Sequence, residues 1–318
     1  MKIALASLDD IDAIQCFIRD NWKENHILAR DKSFFMYEMT QDCAVNYMIA
    51  KDDDSNIVGL LGFVPSRRDI STSNLFFAIL RVLDEYAKSG LGLKLIQKCR
   101  ELTSGTVNVV GINDKVWPLY KFLGFHVDYL EHYYWINPNI TDFHICKYDN
   151  QLVFSLDNKN DDYFLIEELS EGLFSLLNSR RDYYTFTKQY LNNPYYDYLL
   201  YYSKVNNSLL VCREELVDSH KALKIIDYHG DYKSITKALN FLKGIVIDNG
   251  YEFVDIYANH IISSSIIDSG YQKNTYNDDV IIPNYYSPFV KSNIKIAYAT
   301  CDRNLLIMRG DGDQDRPS

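Results

Sequence analysis

Two stretches of this chain repeat one another, and that repetition constrains the fold more than any other feature. "RVLDEYAKSGLGLKLIQKCRE" (81–101) and "KIIDYHGDYKSITKALNFLKG" (224–244) each run from an apolar strand through a turn into a helix. Further along, "PLYKFLGFHV" in the first copy answers "SIIDSGYQKN" in the second. A strand–turn–helix unit has an apolar face that it cannot cover alone, so each copy needs its own sheet and core. At 318 residues the chain is long enough for two. The repetition predicts a diverged duplication.

The order of elements in the first half is β-α-β-β-β-α-β-α-β. "KIALA" reads as a strand and "LDDIDAIQCFIRDNW" as an amphipathic helix with Ile11, Ile14 and Phe17 on one face and Asp9 or Asp10 at its cap. "NYMIAKDDDSNIVGLLGFV" reads as a hairpin, "NLFFAILRVL" as a central strand, "TVNVVGI" as another, and "FHVDYLEHYYWI" as the last. This is an α/β layered domain. The polar, turn-rich "KYDNQLVFSLDNKNDDYF" places a boundary near 155, with domains 1–155 and 156–318. In the second half "YFLIEEL" reads as a strand, "SEGLFSLLNSR" as a helix and "YDYLLYYSKVNNSLLVCREE" as a hairpin. The ending "RGDGDQDRPS" reads as a polar loop whose aspartates lack the glycine and glutamate positions of a calcium-binding loop.

The formal net charge of −10 argues against nucleic-acid binding, which relies on a basic surface. The six cysteines show no metal-ligand spacing, so no metal is expected and the thiols read as small packed residues. No apolar run approaches the roughly 20 residues needed to cross a bilayer, and the N-terminus lacks a signal-peptide core, so a cytoplasmic protein without membrane insertion is expected.

The chemistry concentrates at Gly90 and Gly92, which open the helix after the central strand. Glycine weakens a helix by roughly 1 kcal/mol relative to alanine, so a tight turn or a ligand against bare backbone must offset it. The first N–H groups of a helix point outward without internal partners and carry partial positive charge, which suits an anion. Lys88 and Lys94 add charge. No P-loop motif is present, and no G-x-G-x-x-G follows the first strand.

On two elements the chain resembles the GNAT N-acetyltransferase superfamily. The pattern Q/R-x-x-G-x-G/A, between a central strand and a helix, reads "AKSGLG" (87–92), with Ala87 where the family usually has Gln or Arg. The pattern N-x-x-A-x-x-x-Y-x-x-x-G-F reads "NDKVWPLYKFLGF" (113–125), with Asn113, Tyr120, Gly124 and Phe125 in place and Val116 in the alanine position. The resemblance covers about 1–135 well and 160–275 weakly. It implies two GNAT-like domains, each a mixed, mostly antiparallel sheet flanked by helices, the second degenerate because it lacks the G-x-G turn. It implies acetyl-CoA or another acyl-CoA as donor. Its pyrophosphate would lie on Lys88, Ser89, Gly90, Leu91, Gly92 and Leu93, its pantetheine arm along the edge of "AILRVL" at Val82 and Leu83, with Asn113 and Tyr120 nearby. Tyr120 would protonate the leaving thiolate. His26 and Glu85 are the candidate bases, with Glu38 and Asp84 in comparable regions.

The acceptor is expected to be a small molecule. Trp22 and Phe35 stand where the family builds its acceptor wall, and Arg67 and Arg68 in "PSRRD" could clamp phosphate, with Arg180 and Arg181 as a reserve pair. The tail resembles the C-terminal ends of proteins of bacterial surface-polysaccharide synthesis. That resemblance points to a nucleotide-linked amino sugar. A protein, peptide or other small amine as acceptor, and a non-catalytic GNAT-like binding protein, are the alternatives. The oligomeric state stays open.

Overall fold

The structure, a computed structural model, describes residues 1–149, Phe154 and residues 162–312. It divides into two compact units. The first comprises Met1–Val127 and Tyr298–Asp302, with the segment from Gly312; the second comprises Asp128–Ala297 and Arg303–Asp311. The division falls ahead of the boundary drawn near 155, and residues 155–161 lie outside the described ones.

The elements begin with β1 (Lys2–Ser7), α1 (Ile11–Asn21), α2 (Ile27–Arg30), α3 (Lys32–Met39), β2 (Thr40–Gln41), β3 (Ala44–Lys51) and β4 (Ile57–Pro65). They continue with β5 (Leu75–Val82), α4 (Leu91–Arg100), β6 (Val107–Val110), α5 (Trp117–Phe122), β7 (His126–Tyr129) and β8 (Glu131–Ile136). Then come β9 (Lys147–Tyr148), β10 (Phe164–Ile166), α6 (Glu171–Phe174), α7 (Tyr183–Phe186), β11 (Leu199–Ser203), β12 (Ser208–Val217) and β13 (His220–His229). The last are α8 (Ile235–Asp248), β14 (Phe253–Ala258), α9 (Ser263–Asp268), β15 (Gln272–Lys273), β16 (Val280–Ile281), β17 (Tyr285–Tyr286), β18 (Phe289–Val290) and β19 (Ala297–Thr300).

The first sheet runs β1-β3-β4-β5-β6-β19-β7, with β2 on β3; only β5 and β6 pair in parallel among its registered neighbours. Its strands are buried on both faces because helices cover both. Met48, Ala50, Leu61 and Phe63 face α4 and α5, where Leu91, Leu95, Ile96 and Cys99 form the buried stripe of α4. Tyr47, Ile49 and Leu60 face the other way, onto Ile14, Phe17, Ile18, Leu28 and Phe35 of α1–α3. The alternation along β3 is the period of two that a strand imposes. Truncating a fully buried leucine of such a layer to alanine costs about 2–5 kcal/mol.

The second sheet, β10-β11-β12-β13-β14-β8-β15, has the same plan, with β13 and β14 as its parallel pair. Helices α8 and α9 cover one face, and α6 with α7 the other. In each sheet the strand antiparallel to the last parallel strand comes from elsewhere in the chain. Strand β19 fills that place in the first sheet and β8 in the second. The stretch "FHVDYLEHYYWI", expected as one closing strand, is therefore two. The chain turns at Leu130, whose N–H donates to the Ile296 carbonyl (2.8 Å). His132–Ile136 are buried along both faces of β8, which requires an interior place in a sheet. The expected helix over "SEGLFSLLNSR" shrinks to the four residues of α6. The tail is corrected too. Leu306–Asp311 are buried within the second unit, while 313–318 lie outside the described residues.

Candidate active site

The site in the first unit begins where β5 leaves its neighbour. Strands β5 and β6 pair only from Leu75–Phe77 to Val107–Val109, although β5 runs on to Val82. On its other side β5 stays paired with β4. There Leu61 opposes Leu80 and Phe63 opposes Phe77, so Ala78 and Ile79 face the single residue Gly62. That extra residue is a bulge, which bends and twists the strand that carries it. The bend coincides with the last β5–β6 pair, and beyond it the residues of β5 are half-buried except for buried Ile79. The parting of the strands leaves a groove-like opening along Ala78–Val82, where among the described residues the backbone has no registered strand partner on the β6 side.

The groove leads to the start of α4. A 3-10 turn, Asp84–Ser89, brings the chain around, and Gly90 at φ 75°, ψ 14° sets the entry to the helix. That left-handed conformation explains Gly90. No side chain caps the helix and its first turn contains no acid, so the N-terminal charge of α4 is uncompensated from within. A Cβ on Gly92 would come no closer than 3.9 Å to any neighbour, the nearest being Val82, so internal packing does not demand that glycine. Gly59 is where packing is tight: a Cβ there would meet Val82, Leu91 and Leu95 at 3.2–3.3 Å, which is how closely α4 sits on β4. Lys88, Ser89 and Lys94 are exposed around the turn, and Leu93 is half-buried. A surface hollow of about 560 Å³ lies along the flank of α4, from Leu93 to Glu101 and across to Leu123; it reaches this loop only at Leu93.

Tyr120 is buried in the same core as the α4 stripe, edge-on to Phe125 with ring centroids 5.2 Å apart. Burial pushes its phenol up to about 12, so it carries its proton at neutral pH. The surrounding motif has a local structural account. The Asn113 side chain accepts from the Lys115 N–H (2.9 Å) and caps the turn into α5. Gly124 at φ 82° ends the helix, and the Phe125 N–H closes on the Tyr120 carbonyl (3.0 Å).

The other sequence candidates scatter. His26 caps α2, its Nδ1 accepting from the Leu28 N–H (3.2 Å). Glu85 is exposed in the 3-10 turn after β5. Trp22 is exposed at the end of α1. Phe35 is fully buried and stacked on Tyr47 (5.7 Å), so its ring belongs to the core and offers no face to an acceptor. Arg67 is exposed, whereas Arg68 pairs with Asp42 (2.8 Å). The reserve pair is ruled out as an open clamp. Arg180 and Arg181 are buried and held by Asp227 and Asp311 at 2.5–3.2 Å. Among the described residues no group of three or more His, Cys, Asp and Glu could hold a metal.

The second unit repeats the device. Val211 opposes Asp227 and Cys212 opposes Ile225, so β13 bulges at Ile226, and its pairing with β14 ends at Ile225–Ile256. Here the groove is filled. The Gly310 N–H donates to the Ile226 carbonyl (2.9 Å), and the Arg309 N–H to the Tyr257 carbonyl (3.2 Å). Sequence reasoning missed this segment, although the apolar "LLIM" before it was a signal. At the start of α8, Ser234 and Thr236 stand where α4 has its glycines, and Asp231 caps the preceding turn through the Lys233 N–H (3.0 Å). Counting back four residues from the left-handed glycine, Gly270, gives Ile266 in the place of Tyr120.

Two mixed sheets, each flanked by helices and each opened at a bulged parallel pair, define a mixed α/β protein of two GNAT-like domains. Residues 11–125 match the family model described as acetyltransferase (GNAT) family. Among solved structures, a GCN5-related N-acetyltransferase from Anabaena variabilis shares the fold. Its TM-score is 0.53 at 10% identity, over 94% of this chain and 72% of that one. A putative acetyltransferase from Pyrococcus horikoshii aligns over 98% of this chain and 92% of its own, with TM-score 0.48 at 11% identity. No curated protein sequence matches the chain.

Proposed function

We propose that the protein is an acyl-CoA-dependent N-acyltransferase with a single donor site, in the first unit, and that its acceptor is the amine of a nucleotide-linked amino sugar. One observation carries the donor reading: an open strand edge, Ala78–Val82, leads directly to an uncapped helix N-terminus entered through Gly90. An extended thioester arm with amide groups can add to that edge as a strand would, and a pyrophosphate can take the free N–H groups around Lys88–Leu93. Both halves of the donor then sit on one continuous surface.

The reaction needs a neutral amine beside the thioester carbonyl, a donor to the developing oxyanion and a proton for the thiolate. Tyr120 is the candidate for the last. Its phenol lies about 3 to 4 units above the ordinary thiol range of about 8.5, so complete transfer to thiolate is uphill in the resting site. Its contribution is a hydrogen bond that strengthens as the sulfur gains charge. His26 and Glu85 are reached only through rearrangement or water: His26 spends Nδ1 on its cap and Glu85 faces solvent. The acceptor reading rests on the resemblance of the tail and on exposed Arg67 beside the β4–β5 turn as a phosphate partner. Release of free thiol from acetyl-CoA, measured with nucleotide-linked amino sugars, the matching free amino sugars and amine-bearing peptides, separates the cases. Turnover with a peptide and none with any sugar would replace the acceptor assignment. No turnover, with no acetyl-CoA binding, would end the enzyme reading.

A further inference from the structure

In the second unit the groove between the parted parallel strands holds a stretch of the chain itself, hydrogen-bonded to the strands on either side. Between Leu306 and Asp311 each residue is buried. Met308 bridges to Ala258 in antiparallel fashion, and the Asn259 N–H donates to the Ile307 carbonyl (2.9 Å). From the β13 side the Ile226 carbonyl takes the Gly310 N–H (2.9 Å). The stretch is thus hydrogen-bonded to both strands at the point where their own ladder ends. Its far end is read by charge. Arg181 donates to the Gly310 carbonyl (2.9 Å) and to the Asp311 carboxylate (2.8 Å), Arg180 donates to the same carboxylate (3.2 Å), and Asp227 balances both guanidiniums. Glycine is required at 310, because a Cβ there would stand 2.4 Å from the Tyr190 hydroxyl and 2.9 Å from the Ile226 carbonyl.

We infer that the second unit is a peptide-binding module occupied in cis: its groove takes an extended apolar peptide ending in Gly-Asp, and the ligand is the chain's own Leu306–Asp311. Two strand edges supply the affinity. The absence of room at Gly310 and the paired arginines around Asp311 supply the selectivity. By its place in the fold, this peptide stands where the first unit is proposed to take the acyl-CoA arm. That last comparison rests on the proposed function; the cis occupancy does not.

The test uses the full chain. In hydrogen exchange the Arg309 and Gly310 amides should be among the slow ones. Gly310→Ala should accelerate them by at least about 100-fold and leave the β11–β12 amides unchanged. Asp311→Asn, which keeps the shape and removes the charge, should accelerate them by about tenfold and serves if the alanine variant does not fold. A synthetic peptide of the sequence NLLIMRGDG, labelled at its N-terminus, should bind the Gly310→Ala chain, while the same peptide with alanine for its glycine should not. Unchanged exchange in both variants, or equal binding of the two peptides, overturns the inference. Titration of the natural chain with acetyl-CoA separates the two readings. One site per chain agrees with both, two sites overturn the occupied groove, and none overturns the donor site while exchange still decides the groove.

Discussion

The parallel pairs β5–β6 and β13–β14 part at equivalent bulges, and beyond that point the two units differ in every respect that bears on a donor ligand. In the first, the parted edge is open and leads to Gly90 and an uncapped helix. In the second, the edges are satisfied by Arg309 and Gly310, and the turn before α8 is capped by the carboxylate of Asp231. Tyr120 in the first unit has Ile266 as its counterpart in the second. The bulge and splay are therefore a scaffold property that both copies keep. What separates the proposed donor site from an occupied groove is a handful of side chains and the path of one short segment. Fold does not decide function here, even within a single chain.

The largest expected effect tests whether the first groove is the only donor site. Gly90→Glu forces a non-glycine residue to φ 75° and places a negative charge at the helix start. It should weaken acetyl-CoA binding at least about 100-fold in calorimetry and leave no residual site; a residual stoichiometric site would break the contrast between the units. Next comes Tyr120→Phe, which keeps the packing against Phe125 and removes the hydroxyl. Single-turnover acetyl transfer should fall at least about tenfold with acetyl-CoA affinity unchanged. Wild-type chemistry in that variant would make Tyr120 as structural as Ile266.

A third prediction concerns stability. Leu95→Ala on α4 and Leu239→Ala on α8 remove equivalent buried side chains, and each should cost about 2–5 kcal/mol by denaturant unfolding. Only the first should also lower acetyl-CoA affinity, because only α4 leads into an open groove. Equal effects on affinity would contradict the contrast.

The smallest effect follows pH. His132 and His229 of the second unit are fully buried, and burial lowers both pKa values. Asp255, Lys224 and Arg309 face the first; Asp227, Arg180 and Arg181 face the second. A histidine depressed in the folded state binds its proton more readily when unfolded. Its stabilising contribution is complete above the ordinary value of about 6.5 and is lost as pH falls below it, by up to about 1.4 kcal/mol per pH unit for each proton taken up. Between pH 7.5 and 5.5, exchange should rise in the second unit beyond the intrinsic change. The first unit buries no histidine among the described residues and should show no such excess. Equal acid sensitivity in both units would contradict this.

Much of this was legible in the residues. The main strands and the helices α1, α4, α5 and α8 followed from apolar periodicity, and Gly90 was marked because a glycine at a helix entrance needs a backbone reason. The strand exchange was not legible. "FHVDYLEHYYWI" contains no glycine or proline, and its acidic residues Asp128 and Glu131 are ones that a partly exposed strand also carries, so nothing local marks the turn at Leu130. The four residues of β19 are too few to show a period. Arg180 and Arg181 looked like a surface clamp because their compensating carboxylates, Asp227 and Asp311, lie far away in sequence. Phe35 looked available because an aromatic on a short helix reads the same whether it faces a ligand or Tyr47.

The exchange of β8 and β19 also sets a timetable for synthesis. Strand β6 leaves the ribosome roughly 190 residues before β19, the neighbour that its sheet needs, which at about 5–20 residues per second is a wait on the order of 10–40 s. Throughout that interval the nascent first unit has an incomplete sheet, with β6 and β7 exposed as unpaired edges of the kind that recruit chaperones or other chains. Neither half can finish before the other has been made. The first sheet should close in one late event once β19 has emerged, with the N-terminal half held unfinished until then.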